Sequence, residues 1–148
     1  MTSGPVLICY DGSDGAREAI AVAAELLAGR RAVVLDVLPP PAVPESYQPG
    51  GPDPLELDRL AYEAALARAG EGARLAVDAG FAADARADLE APTWRGVVET
   101  AGQVGASVIV IGSRGLTGFR ELAEGTLSHD LAEHARRPVL VVPADERD

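Results

Sequence analysis

"SVIVIGSRGLTGFRELAEGT", residues 107–126, decides the fold class of this chain. "SVIVI" is a short, nearly continuous apolar run bounded by glycine, which predicts a strand buried on both faces. The next fifteen residues, Gly112 to Thr126, hold four glycines, two arginines and three hydroxyl side chains, and no lysine. "TLSHDLAEHARR" (126–137) then carries a helical pattern, and "PVLVV" (138–142) is another short β-type run. Buried strand, glycine-rich loop, helix and strand form the repeating unit of a parallel α/β sheet, whose crossovers are right-handed.

The same alternation runs through the earlier sequence. "PVLICY" (5–10) reads as a strand, broken by "DGSDG". "AREAIAVAAELLAGR" (16–30) places Ala16, Ile20, Ala23, Ala24 and Leu27 at helical spacing. Ser13 or Asp14 is its candidate N-cap, and Gly29 stands where a C-terminal glycine belongs. "AVVLDVL" (32–38) is a strand apolar on both faces except at Asp36, and residues 39–54 form a loop dense in proline and glycine. From Leu55 to about Ala79 the pattern predicts a helix with Leu57, Leu60, Ala64, Ala67 and Leu75 on one side, weakened or kinked at Gly70 and Gly72. "ADARADL" (83–89) reads as a half-exposed edge strand and "TWRGVVETAGQVG" (93–105) as a helix. The expected organisation is a single doubly wound α/β domain over residues 1–148, with five parallel strands and a polar tail at 143–148.

Composition excludes several classes. A chain of 148 residues with 47% hydrophobic and 24% charged residues has the makeup of a globular domain. No apolar run reaches the roughly 20 residues of a membrane helix, and the N-terminus lacks the basic segment of a secretory signal. One cysteine, Cys9, suits a reducing compartment, so the expected location is the cytoplasm. The net charge of −10 argues against nucleic-acid binding. All basic residues are arginine, which excludes lysine-dependent sites such as the P-loop.

Ligands of open α/β sheets bind beyond the carboxyl ends of the strands, near the reversal of strand order. Those ends are Tyr10-Asp11, Val37-Leu38 and Ile111-Gly112. Glycine lets backbone approach a ligand without an intervening Cβ, and a helix N-terminus offers free N–H groups at the positive end of its dipole. Gly112, Gly115 and Gly125, with the hydroxyls of Thr126 and Ser128 and the Arg114 guanidinium, therefore predict a phosphate cradle.

Gly112-x-x-Gly115, nine residues, then Gly125-Thr126 is the pattern G-2x-G-9x-G-(S/T), which resembles the ATP-binding signature of the universal stress protein family. The resemblance extends over nearly the whole chain, from "VLICYDGSDGAREAI" through "VVLDVL" to the last strand. It implies a Rossmann-like sheet ordered 3-2-1-4-5 with helices on both faces. It implies that Asp11 lies near the ribose and the metal-bearing phosphates, that the Val37 backbone meets adenine, and that Ile111 packs near the base. Gly112, Arg114 and Gly115 would form the first half of the phosphate loop, and Gly125, Thr126, Leu127 and Ser128 the second. ATP with Mg²⁺ (or Mn²⁺) is the implied ligand, and the last strand, 138–142, the implied homodimer edge. The function implied is a nucleotide-dependent regulatory or scaffolding module in stress response, with an unidentified protein partner. Asp36 departs from the family, standing where histidine is frequent, and Gly96 interrupts the third helix.

Other constellations carry less. "DGSDG" is no EF-hand, since its twelfth position is Val22. "GSRG" is not a nucleophile elbow. His129 and His134, five apart, share no helix face for a metal and read as surface residues; Cys9, in a buried strand, reads as a core thiol. Two other classes stay open: a slow ATPase or other nucleotide-using enzyme with the same pocket, and a nucleotide-free interaction module. A cyclic nucleotide as ligand is a variant of the first reading.

Overall fold

Strand β1 (Val6–Cys9) lies in the middle of the sheet, and Val6, Leu7 and Ile8 are each 0% exposed. The computed structural model describes residues 4–41, 50, 51, 53–113 and 124–143, and the side chains at 124–126 lie outside that description. Helix α1 (Asp14–Leu27) leads to β2 (Arg31–Leu38), and α2 (Pro54–Asp78) to β3 (Ala82–Leu89). Helix α3 (Thr93–Val104) then carries the chain back to β4 (Val108–Gly112), and α4 (Glu124–His134) leads to β5 (Val139–Val142). The five strands are parallel and ordered β3-β2-β1-β4-β5. This is the doubly wound order that the family resemblance implies.

Strand alternation divides the core in two. Val6, Ile8, Val34 and Val110 pack with Ala19, Ile20 and Ala23 of α1 and Ala73 and Ala76 of α2. Leu7, Leu35, Val37, Ile109 and Ile111 pack on the other face with Val97 and Ala101 of α3 and Leu131 of α4. Period-2 side-chain alternation on two-sided strands is the cause.

Local signals set the helix ends. Ser13 caps α1, its Oγ accepting from Ala16 N at 3.1 Å. Gly29 follows the helix at φ +90, a conformation that favours glycine. Asp53 caps α2, accepting from Leu55 N at 3.0 Å, with Pro54 in the first turn.

The face of α2 differs from the expectation. Its buried residues are Ala65, Ala69, Gly72, Ala73 and Ala76. Leu60, Ala64 and Ala67 are exposed, and Leu57 and Leu75 only half-buried. Small residues face the sheet because the space is already filled by Tyr10 and Val34. A Cβ on Gly72 would come 2.7 Å from a Tyr10 ring carbon and 2.8 Å from Val34 Cγ1. Gly72 is thus a close-packing position inside an unbroken 25-residue helix. The helix begins well before its first buried residue, Ala65, so about three turns run on beyond the core. The proline-rich segment falls mostly at 42–49, outside the described residues, as do residues 144–148 of the expected tail.

The two glycines of α2 should respond oppositely to alanine. Gly72→Ala should cost about 1–3 kcal/mol through overpacking. Gly70→Ala, where an added Cβ meets nothing nearer than an Arg74 nitrogen at 4.0 Å, should stabilise by about 0.5–1 kcal/mol. Urea denaturation of the two variants and the parent measures both; equal effects would contradict the packing described.

Candidate functional site

Strand order reverses between β1 and β4, and the helices that follow these strands, α1 and α4, lie on opposite faces of the sheet. That divergence opens a crevice at their carboxyl ends. The β1–α1 turn forms one wall. Tyr10 N still donates to Leu35 O at 2.8 Å, and the chain then leaves the sheet at Asp11. Gly12 takes φ +84, which makes the tight exit possible. Asp11 Oδ1 accepts from Ser13 N at 2.9 Å. Asp11 Oδ2 is buried and has no hydrogen-bond partner among the described residues. A buried carboxylate oxygen left alone is costly, so it marks a place for an external donor or cation.

The floor comes from β2 and β4. Val37 and Ile111 are 7% and 2% exposed and lie in the α3–α4 half of the core, with Leu127 of α4 packed against the same cluster. This contact brings the first turns of α4, which include Gly125, Thr126 and Ser128, to the carboxyl end of the sheet. Gly112 closes β4. A Cβ there would stand 2.8 Å from Gly15 O, so the end of β4 lies directly on the first turn of α1. Gly112 is needed for packing as well as for any approach of ligand. Arg114 and Gly115 lie outside the described residues.

Asp36 and Gly96 resolve into structural roles that sequence reasoning missed. Asp36 points to the α1–α2 face, opposite its neighbour Val37. It is 2% exposed and accepts a bond from Arg68 NH1 at 3.0 Å. The signal in the sequence was a lone arginine among the small residues of the inner α2 face. Gly96 lets α3 close over β2 and β3, since a Cβ would meet Val37 Cγ1 at 2.8 Å and Asp88 Oδ2 at 3.3 Å. Nearby, Tyr10 OH donates to Glu71 Oε1 at 2.9 Å, and Arg17 reaches the same oxygen at 3.3 Å. The Tyr10 hydrogen bond, then that of Arg17, holds the Glu71 carboxyl below the usual range.

The remaining candidates are placed elsewhere. His134 stacks on Trp94, with centroids 4.2 Å apart and planes 13° from parallel, and His129 lies on the exposed face of α4 near Glu133. Among the described residues no group of three His, Cys, Asp or Glu side chains could hold a metal. Among the described residues no helix is long and apolar enough to cross a membrane.

A profile of the universal stress protein family matches residues 3–143. The chain belongs to the universal stress protein family. It is similar to the universal stress protein YxiE of Bacillus subtilis, at 39% identity over 46 residues. That match spans 31% of each protein, so the chain covers only about a third of this relative's length. Its fold is similar to that of a universal stress protein family member from Burkholderia pseudomallei, with a TM-score of 0.69, 26% identity and coverage of 97% of this chain and 98% of the other. It is also similar to the universal stress protein of Archaeoglobus fulgidus in complex with dAMP, with a TM-score of 0.64, 20% identity, and coverage of 96% and 99%. At that last identity the likeness is one of fold.

Cys9 closes β1, partly buried against the core cluster of Leu7 and Leu35. Burial pushes it up to about 12, and the Asp36 and Asp11 charges add to the effect. The raised value favours the protonated thiol in the folded chain. Its contribution to stability is complete below the ordinary 9.0 and is lost as pH rises toward about 12. At pH 8 the folded protein should react with a disulfide reagent at least about tenfold more slowly than the chain in urea, because its thiolate fraction is much lower. Equal rates in the two states would contradict the raised thiol.

Proposed function

We propose that this family member is a cytoplasmic, ATP-binding regulatory or scaffolding module of stress response. The observation that carries the reading is the glycine pattern Gly112-x-x-Gly115-nine-Gly125-Thr126, spanning the loop between β4 and α4 at the reversal of strand order. In this reading the Val37 backbone and Ile111 meet the base. Asp11 serves the ribose and a phosphate-bound Mg²⁺ or Mn²⁺. The amides of Gly112, Arg114, Gly115, Gly125, Thr126 and Leu127, with the hydroxyls of Thr126 and Ser128, meet the phosphates. The unpartnered Asp11 Oδ2 fits this arrangement, because a hydroxyl donor or a cation there completes its bonding. The dAMP complex of the Archaeoglobus fulgidus relative supports a nucleotide in a fold of this kind.

The same reading includes a homodimer. Strand β5 is an edge of the sheet, and its Val141 is 40% exposed. An apolar edge strand is an aggregation hazard unless paired, and a second copy laid against residues 138–142 covers it. Turnover of ATP would be slow, since Asp11 would have to serve both as metal ligand and as base. The expected rate lies well below the roughly 1–100 per second of kinases.

The phosphate half is tested at the start of α4. Gly125→Asp adds negative charge where the phosphates would sit. Near a helix N-terminus an aspartate favours the helix by about 0.3–1 kcal/mol, so stability should hold while ATP binding is lost. Thr126→Ala should weaken binding by about 1.5–3 kcal/mol, the scale of one hydrogen bond to a charged group. Titration calorimetry with thermal melts as folding control decides. A folded Gly125→Asp variant that binds ATP as tightly as the parent would mean the phosphates lie elsewhere.

A further inference from the structure

We propose that Arg68 of α2 is a phosphate-facing cation of this nucleotide site, and that Asp36 is the residue that positions it. The inference rests on the nucleotide reading above and adds a group outside the glycine loop.

The starting point is an unusual carboxylate. Asp36 sits inside β2, 2% exposed, where every other side chain from Val34 to Val37 is apolar. Isolation there would be costly, and Arg68 offsets the charge with a 3.0 Å bond from NH1 to Oδ2. Buried pairs of this kind are weak sources of stability compared with apolar residues of the same volume. What the pair does is fix a long, flexible side chain in one place.

That place is beside the β1–α1 turn. The Arg68 stem crosses the β1–α1 turn: a Cβ on Gly12 would lie 3.3 Å from Arg68 Cδ and 3.6 Å from Cγ. The guanidinium therefore lies beside the turn that carries Asp11, at the end of the sheet where the ligand is expected. Its side chain keeps 35% exposure, so the group is anchored on one edge and open to water on another. A planar guanidinium can donate to two anions at once, here a carboxylate behind and a phosphate in front.

The charge distribution calls for such a group. The chain has no lysine and a net charge of −10. Asp11 and Asp36 both stand at this end of the sheet, close enough to act on Cys9. Other described arginines are engaged elsewhere: Arg17 with Asp14 and Glu71, Arg59 with Glu56 and Glu63, Arg30 with Gly4 O and Ser107. Arg68 is held against the turn that carries Asp11.

The experiment compares ATP with adenosine, which shares the base and ribose but has no phosphate. In Arg68→Ala, ATP affinity should fall about ten- to a hundredfold while adenosine affinity stays within about twofold. Arg68→Lys should recover part of the ATP affinity as a point charge. Asp36→Asn, which frees the guanidinium, should give an intermediate loss confined to ATP. Arg68→Ala leaves a buried carboxylate without its counter-charge and can unfold the chain. The double variant Asp36→Asn with Arg68→Gln keeps shape and hydrogen bonding without either charge, and should show the same loss for ATP alone. ATP binding by the double variant as tight as the parent's overturns the proposal. So does a parallel loss for ATP and adenosine, which would make Arg68 a support of the turn and nothing more. A parent protein that binds neither ligand overturns the nucleotide reading itself, and this inference with it.

Discussion

Burial of β1 on both faces is the constraint from which the rest follows. Val6, Leu7 and Ile8 admit no solvent on either side, so the strand needs a neighbour on each edge and a helical layer above and below. Its two neighbours, β2 and β4, come from different halves of the chain. Each half therefore winds outward from β1 in its own direction, one carrying α1 and α2, the other α3 and α4. The crevice at the carboxyl ends is a consequence of that winding and would exist on this backbone whatever occupied it. Function must then be argued from the particular side chains that line it.

Those side chains do two things at once. Gly112 is part of the glycine signature, yet the missing Cβ is already required by Gly15 of α1. Gly96 looked like a weakness in α3 and is where that helix meets Val37 and Asp88. A glycine in a parallel α/β domain can thus serve helix-to-sheet approach, ligand approach or both. The distinction rests on what its Cβ would touch. At Gly112 the answer is protein backbone, so its presence alone does not argue for a ligand. The spacing to Gly115 and Gly125 and the orphaned Asp11 oxygen carry that argument instead.

Strand order is non-local and came from the family resemblance, whereas element order was legible in the sequence because two-sided apolar strands and helical periods are local signals. The cap at Ser13 and the turn at Gly29 were legible for the same reason. The inner face of α2 was not. Large apolar residues in its first half, Leu55, Leu60 and Leu66, are 76%, 50% and 37% exposed, while alanines and a glycine make the sheet contact. Hydrophobicity alone ranks leucine above alanine. Which face packs is decided by the bulk of Tyr10 and Val34 across the gap, a non-local fact. The partner of Asp36 was hidden likewise, because a buried charge announces that a counter-charge exists without naming the helix that supplies it.

Electrostatics then join the fold to its expected ligand. A polyanion approaching a protein of net charge −10 meets long-range repulsion, which screening at physiological ionic strength confines to about 8 Å. Inside that distance local dipoles and paired charges decide. The N-terminus of α4 contributes partial positive charge. Asp11 contributes a full negative charge, which favours a hydroxyl donor or a cation and disfavours bare phosphate. An acidic group placed beside a phosphate cradle is therefore coherent only if a cation stands between them, or if the phosphates bend away toward the helix end and a guanidinium. Arg68 lies on the Asp11 side of the crevice and α4 on the other, so the two sources of positive charge flank the carboxylate. On the reading proposed above, base and ribose lie over β1 and β2 and the ligand's charge is spread, which suits the two flanking sources of positive charge.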